Sequence, residues 1–248
     1  MAPRLRVGTS GYNFPEWRGS FYPAKLSSKK WLEYYAQQLG TVEINYTFYR
    51  MPDANTVAGW NAATPESFTF VLKAPQRITH IARLRNIDEP LRLFLERARK
   101  LNPKLGAILF QLPPNLKKDI DRLGDLVTQL PADVRAACEF RHTSWWSDDV
   151  YELLRSTNTA LCIADTEAGT TPLVATADFG YVRLRDEGYD ETGLREWMTK
   201  VQALGEGSAW TDAFVFFKHE AKGIGPKLAR DFLQLAPDTA HLPTPESG

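Results

Sequence analysis

Thr41-Val42-Glu43-Ile44-Asn45-Tyr46-Thr47-Phe48-Tyr49 alternates apolar and polar side chains, the mark of a strand with two unlike faces. Its β-branched and aromatic residues favour a strand, and in a strand side chains two apart share a face. Val42, Ile44 and Tyr46 make one face apolar, whereas Glu43, Asn45 and Thr47 make the other polar. The apolar set suits packing against helices. Glu43 and Asn45 are then directed into the interior of a barrel.

Working outward, seven more short runs rich in Val, Ile, Phe, Leu or Tyr occur at residues 5–10, 68–74, 105–112, 135–141, 160–165, 180–185 and 213–219. Helical periodicity fills most of the gaps between them. Leu91, Phe94, Leu95, Ala98 and Leu101 mark one face behind Asp88 and Pro90, and Leu194, Trp197, Met198, Val201 and Leu204 mark another behind Asp190. Leu32, Tyr35, Ala36 and Leu39 precede Gly40, a helix stop, while Ser147-Asp148-Asp149 and Gly225-Pro226 open two further helices. Strand and helix alternating eight times predicts parallel strands closed into a single (β/α)8 TIM barrel, an α/β fold that needs about 250 residues. A doubly wound open sheet ranks lower, because no glycine-rich phosphate fingerprint follows the first strand. The link at 166–178 is the irregular one, at the sixth βα unit. The expected domain spans 1–236, and 237–248, with Pro243 and Pro245, reads as a flexible tail.

The 248 residues carry 30 basic and 30 acidic side chains. A protein that grips nucleic acid by its phosphates usually carries a basic excess, so this balance disfavours nucleic acid as the partner. The clusters at 29–30, 97–100 and 117–118 fall on expected helices as solvated faces. No signal-like apolar run opens the chain and none reaches membrane-spanning length, so no membrane partner and a cytoplasmic location are expected. Cys138 and Cys162 are too few for a disulfide framework. Both are expected reduced and facing the helix layer, out of phase with the acidic residues beside them.

The same alternation selects a site. In the fifth run Glu139 and Arg141 point inward while Cys138 and Phe140 point outward, and in the seventh Arg183 and Arg185 share a face against Val182 and Leu184. Asp165 ends the sixth run in phase with Leu161 and Ile163. Lys73 closes the third run, Gln111 the fourth, and Lys218 with Glu220 the eighth. These polar groups gather at the C-terminal ends of the strands, the mouth where such barrels hold their sites. Lys73, Arg141, Arg183, Arg185 and Lys218 outnumber Glu43, Glu139, Asp165 and Glu220 by one cation, which suits a bound phosphate or carboxylate. Glu43, Glu139 and Asp165 are the candidate acid/base carboxylates. The competing reading is an ion network that only stabilises the fold.

The segment Gly8-Thr9-Ser10-Gly11 lacks the lysine and spacing of a phosphate loop. It reads instead as a turn packing Tyr12, Trp17, Phe21 and Tyr22 over the mouth; of Trp145 and Trp146, one forms a further stacking wall or both pack in the core. His80, His142, His219 and His241 form no ligand pair at helix spacing. His219-Glu220 beside Asp165 is the remaining metal reading; no resident metal or cofactor is expected. A Gly-x-Ser-x-Gly elbow is absent, which argues against a serine hydrolase.

Several of these motifs resemble a known family. Gly8-Thr9-Ser10-Gly11 with Trp17 and Phe21-Tyr22-Pro23, the 42–49 strand, Phe68-Thr69-Phe70 to Lys73 with Ile78-Thr79-His80, Gln111-Leu112-Pro113-Pro114, and Glu139-Phe140-Arg141 with Trp145 are similar to the YecE-like barrels, domain of unknown function 72. The resemblance covers nearly the whole chain. It implies a TIM barrel with a polar site of Glu43, Asn45, Lys73, His80, Gln111, Glu139 and Arg141, and it supplies no activity. Relatives carry Arg-Leu-His-Gly where this chain reads Arg183-Leu184-Arg185-Asp186, and Asn-Asn where it reads Lys218-His219. Both changes make the mouth more cationic. The expectation is therefore an enzyme (hydrolase, lyase or isomerase) acting by carboxylate acid/base chemistry on a small anionic or sugar-like substrate, with Tyr12, Asn45, Lys73, His80, Gln111, Arg141, Trp145, Arg183, Arg185 and Lys218 as binding residues. A non-catalytic anion- or nucleic-acid-binding protein is the rival. A metal-dependent nuclease or isomerase is a third reading that rests on fold analogy alone.

Overall fold

A computed structural model describes residues 2–167, 169–186 and 188–236. The expected tail at 237–248, and His241 within it, lie outside the described residues. The strands are β1 (Arg4–Ser10), β2 (Thr41–Ile44), β3 (Thr69–Lys73), β4 (Leu105–Gln111), β5 (Ala136–Glu139), β6 (Ala160–Thr166), the short β7 (Gly169–Thr170), β8 (Phe179–Leu184) and β9 (Asp212–Phe217). They run in the order β5-β4-β3-β2-β1-β9-β8-β6, and pairing of β5 with β6 closes the ring. All eight barrel strands are parallel; β7 alone pairs antiparallel, against the end of β6. The fold is the expected TIM-like barrel.

The helices are α1 (Trp31–Gln38), α2 (Tyr46–Tyr49), α3 (Ala54–Ala62), α4 (Asp88–Ala98), α5 (Ile120–Thr128), α6 (Asp148–Ser156), α7 (Glu191–Ser208) and α8 (Ile224–Gln234). Local chemistry sets several of their starts. The Asp190 carboxylate accepts from the Gly193 N–H at 2.8 Å, capping α7 where the apolar periodicity begins. Asp119 caps α5 through the Arg122 N–H in the same way. Leu91, Phe94, Leu95 and Ala98 bury the inner face of α4, as their spacing requires.

The expected second strand is corrected at its end. β2 stops at Ile44 rather than residue 49, because Asn45 adopts a helical backbone (φ −84°, ψ −16°) and Tyr46–Tyr49 form one turn. The Thr47 hydroxyl holds that turn, reaching the Ile44 carbonyl at 3.0 Å and the Lys73 carbonyl at 2.6 Å. Aromatic content and alternation read as a strand here, but local side-chain-to-backbone bonds prevail.

The lumen holds its own apolar set: Val71, Ala107, Leu109, Ala137, Ala160, Cys162, Phe179, Tyr181, Phe214 and Phe216. Cys162 is thus corrected. It pairs in register with Tyr181 and faces the lumen, while Cys138 packs in the helix layer as expected. The aromatic rings need small residues opposite. A Cβ on Gly106 would stand 2.9 Å from the Phe214 ring and 2.3 Å from the Thr69 methyl.

The sixth unit has no helix between β6 and β8 among the described residues. Threonines take its place. The Thr176 hydroxyl accepts from the Leu161 N–H at 2.7 Å and donates to the Thr159 carbonyl at 2.7 Å. Those bonds occupy a stretch where β5 and β6 share only the pairs Ala137–Ala160 and Cys138–Leu161.

The N-terminal end of the barrel is closed by buried Asp212. Its carboxylate accepts from Arg4 Nε at 2.7 Å, Arg6 Nε at 3.2 Å and Arg135 Nη1 at 2.9 Å. Burial raises the proton affinity of this carboxyl, but the hydrogen bonds from Arg4 and Arg135 win and bring its pKa down from 3.8 to about 2. A depressed carboxylate stabilises the native state above its unfolded pKa and loses that contribution as pH falls through the folded one. We expect Asp212→Ala to cost about 1–3 kcal/mol at pH 7, discounted because the arginines stay partly in water. Urea denaturation of both proteins from pH 6 to pH 2 checks this. The difference should shrink below about pH 4, as the wild type loses the contribution that the variant already lacks.

Candidate functional site

Arg183, in phase with lumen-facing Tyr181 on β8, spans the barrel beneath the mouth. Its Nη2 donates to Glu43 Oε1 on β2 at 2.8 Å, and its Nη1 to Glu139 Oε2 on β5 at 2.5 Å. All three side chains are essentially inaccessible to water. Tyr181 donates its hydroxyl to Glu43 Oε2 at 2.6 Å, which completes that carboxylate. Gln111 at the end of β4 donates Nε2 to both Glu139 oxygens at 2.9 Å. Its own Oε1 accepts from Lys73 Nζ at 2.8 Å, so the amide orientation is set by its anionic neighbour.

Glu139 then draws the upper cations inward. Arg141 Nε reaches its Oε1 at 3.2 Å and Arg185 Nη1 approaches the same atom at 3.5 Å. Burial alone would raise the Glu139 carboxyl, yet Arg183, Arg141, Arg185 and the Gln111 amide hold it well below the usual carboxylate range. It is a fixed anion across the neutral range.

Removing Asp165 from this group changes the charge count. Its two oxygens accept from Tyr189 Oη at 2.5 Å, Trp197 Nε1 at 3.1 Å and Thr170 Oγ1 at 2.5 Å, among groups of α7 and the strand-end loops. The cause is the pleat: Asp165 pairs with outward-facing Leu184, and lumen-facing Arg183 pairs with Ala164. Glu220 is exposed. Five cations, Lys73, Arg141, Arg183, Arg185 and Lys218, therefore face two buried carboxylates, Glu43 and Glu139, whose oxygens are all engaged, and the Glu220 charge at the rim acts on Lys218. The surplus is larger than the sequence suggests.

Its electrostatic mark is consistent. Burial and the Arg183 charge bring the Lys73 ammonium down from 10.5 to about 8. Burial and Arg185 lower Lys218, and burial and Arg183 lower Arg185. His80, in the turn Arg77–Ile81, is lowered by burial and then by Lys73 and Arg141. Each of these cations would gain from a further negative charge.

The remaining expected residues divide. Among the described residues, Asn45 Oδ1 at the head of α2, Ser10 Oγ on the β1 end and Arg183 Nε are buried without a hydrogen-bond partner. Tyr12 is instead directed toward the helix layer, its ring 6.3 Å from that of Tyr35 on α1. Trp145 is fully buried, stacked on Phe140 at 4.7 Å with its N–H on the Leu116 carbonyl, so it forms no wall at the mouth. Trp17, Phe21 and Tyr22 join the same side packing, with Trp17 tied to the Glu220 carbonyl. His219 bonds through Nε2 to the Asp186 carbonyl at 2.6 Å, and among the described residues no three His, Cys, Asp or Glu side chains converge as metal ligands.

Two participants were missed from sequence. Tyr181 shares Arg183's phase, so alternation alone points to it. Phe48 carries Lys73 Nζ 4.1 Å from its ring centroid and His80 edge-on at 4.8 Å. It is reachable only once the β2 strand is known to end early.

Comparison with known proteins agrees with this architecture. The family described as "Protein of unknown function DUF72" matches residues 6–247. UPF0759 protein YecE of Escherichia coli is 32% identical over 144 residues, covering 58% of this chain and 50% of that protein. UPF0759 protein YunF of Bacillus subtilis is 33% identical over 156 residues, 60% of this chain and 54% of that one. The matched region thus spans about half the length of these curated relatives. A DUF72 family crystal structure from Thermotoga maritima superposes with a TM-score of 0.79 at 25% identity, covering 94% of this chain and 98% of that one. One from Enterococcus faecalis gives 0.78 at 20% identity, over 93% and 94%.

Cutting the central cation tests the floor. Arg183→Met leaves two buried carboxylates facing each other, so we expect a loss of about 3–5 kcal/mol in urea denaturation. Glu139→Gln, which keeps the shape and leaves Glu43 on Arg183, should cost less than that.

Proposed function

We propose that this chain, which belongs to the DUF72 family, binds a small phosphate- or carboxylate-bearing molecule at the C-terminal mouth of its barrel and acts on it as an enzyme. The observation that carries this reading is the charge surplus. Five cations converge over two carboxylates whose oxygens are all engaged. Like charges held in a partly dry cleft repel, and an anion with several oxygens relieves that repulsion while accepting their free N–H groups.

The parts take different roles. Glu43, Arg183 and Glu139 form the floor, fixing the height and direction of the groups above. Arg141, Arg185 and Lys218 hold the anion. Arg141 and Arg185 are anchored on Glu139, which restricts their motion before any ligand arrives. Acid/base work shifts away from the carboxylates, because a Glu139 held far below neutrality has no proton to give. Lys73 and His80 are better suited: burial and neighbouring cations bring the first down to about 8 and keep the second neutral at pH 7.

A thermal-shift titration tests the reading. Phosphate or sulfate at millimolar levels should raise Tm by binding the native state, by a few degrees at saturation. Arg185→Ala, at the strand end and partly exposed, should keep the fold and abolish most of the shift. A far larger shift with oligonucleotides, steeply reduced by salt, would assign the cations to a nucleic-acid backbone instead. No shift with any anion would leave the cluster as a stabilising network only.

A further inference from the structure

Lys73 is the one cation of the mouth placed to react rather than to hold. It closes β3, and among the described residues its ammonium has a single hydrogen-bond partner, the neutral Gln111 Oε1 at 2.8 Å. No carboxylate of the described residues lies within ion-pair distance of it, since Glu43 is taken by Arg183 and Tyr181, and Glu139 by Arg183, Arg141, Arg185 and Gln111. Gln111 cannot turn its amide nitrogen toward Lys73, because that nitrogen is held by Glu139. The amine is thereby gripped by an acceptor that gives it no counter-charge. Its underside rests on the Phe48 ring, 4.1 Å from the centroid, which removes water from that side.

His80 shares the Phe48 ring, edge-on at 4.8 Å. Its Nδ1 is bonded to Thr79 Oγ1 at 2.9 Å, leaving Nε2 as the nitrogen able to exchange a proton. An amine with no carboxylate of the described residues in ion-pair distance and an imidazole packed on the same phenyl ring thus stand opposite the anion clamp. β8, which carries Arg183 and leads to Arg185, lies four strands from β3 around the ring and so directly across it.

We propose that Lys73 forms an imine with the carbonyl carbon of a small aldehyde or ketone whose carboxylate or phosphate is held by Arg185, Arg141 and Lys218. The proposal rests on the anion-binding reading above and names its substrate class. In the step, the nitrogen lone pair of neutral Lys73 attacks the carbonyl carbon and the C=O π pair moves to oxygen. The ammonium of the adduct passes a proton to His80 Nε2, which returns it to the hydroxyl, and one water leaves. Amine, carbonyl and one proton from solution give a protonated imine and one water, with no oxidant or reductant needed. The positive imine can then draw electrons from a neighbouring carbon, the usual use of lysine imines in catalysis. The lowered proton affinity of Lys73 keeps a useful fraction of it neutral at physiological pH.

Reductive trapping of the intact wild-type protein tests it. Glyoxylate and the neutral glycolaldehyde are each supplied with sodium cyanoborohydride near pH 7, and labelled lysines are located by peptide mass spectrometry. Exposed Lys29 and Lys30 serve as internal references. Since each pK unit changes the neutral fraction tenfold, Lys73 should be modified at least about tenfold faster than either. Glyoxylate should outpace glycolaldehyde at Lys73, and Arg185→Ala should bring the ratio of the two rates close to one. Lys73-selective labelling by both reagents with no advantage for glyoxylate would sustain the amine and overturn the anion clamp. Labelling of Lys73 no faster than Lys29 and Lys30 with either reagent overturns the proposal, even if phosphate still raises Tm.

Discussion

The guanidinium of Arg183 is held between Glu43 and Glu139 across the inside of the barrel, and most of the mouth is arranged around that bond. A single buried arginine would be prohibitively costly, and so would either carboxylate alone. Together they form a planar donor fork facing two anions from β2 and β5, on either side of the lumen. The arrangement consumes what it contains: all four carboxylate oxygens are engaged, and Arg141 and Arg185 must share Glu139 with Arg183. Chemistry at this site is shaped by that deficit.

Beneath the floor, the lumen is filled by Phe214, Phe216, Phe179 and Tyr181 opposite small residues. These rings account for the depth at which the polar layer sits. Tyr181 belongs to both layers, with its ring among the phenylalanines and its hydroxyl on Glu43. At the other end, Asp212 gathers three arginines. The two ends share one logic: at each, a few buried carboxylates hold together more cations than they can neutralise.

Much of this was legible in the sequence, because a barrel strand obeys a period of two. Alternation placed Glu43, Glu139, Arg183 and Arg185 inward, and the same rule, carried one step further, places Tyr181 beside them. It also sends Asp165 outward with Leu161 and Ile163. Proximity to the strand end outweighed phase in assigning Asp165 to the site, and the pleat decides otherwise. Cys162 was misplaced for the same reason, its phase judged from Asp165. What periodicity does not encode is where a strand stops. Thr47 ends β2 through hydrogen bonds to two carbonyls, one of them on β3, and only that turn brings Phe48 under Lys73. Trp145 shows a further limit: an indole next to a functional arginine is equally suited to stack in the core, and its N–H finds a backbone carbonyl there.

A closed ring of strands behaves as a hoop, and a hoop yields at its thinnest joint. Here that joint is the one between β5 and β6, where the ladder holds only two residue pairs and the buried Thr176 hydroxyl takes up backbone groups at the start of β6. A ladder of two pairs leaves the least to break when a local opening runs through the sheet. Glu139 stands on β5 at the lip of this joint, so breathing there moves the anion on which Arg141 and Arg185 are anchored. The barrel thereby has a built-in compliance on one side of its mouth, away from the six-pair ladders that join β9 to β1 and to β8.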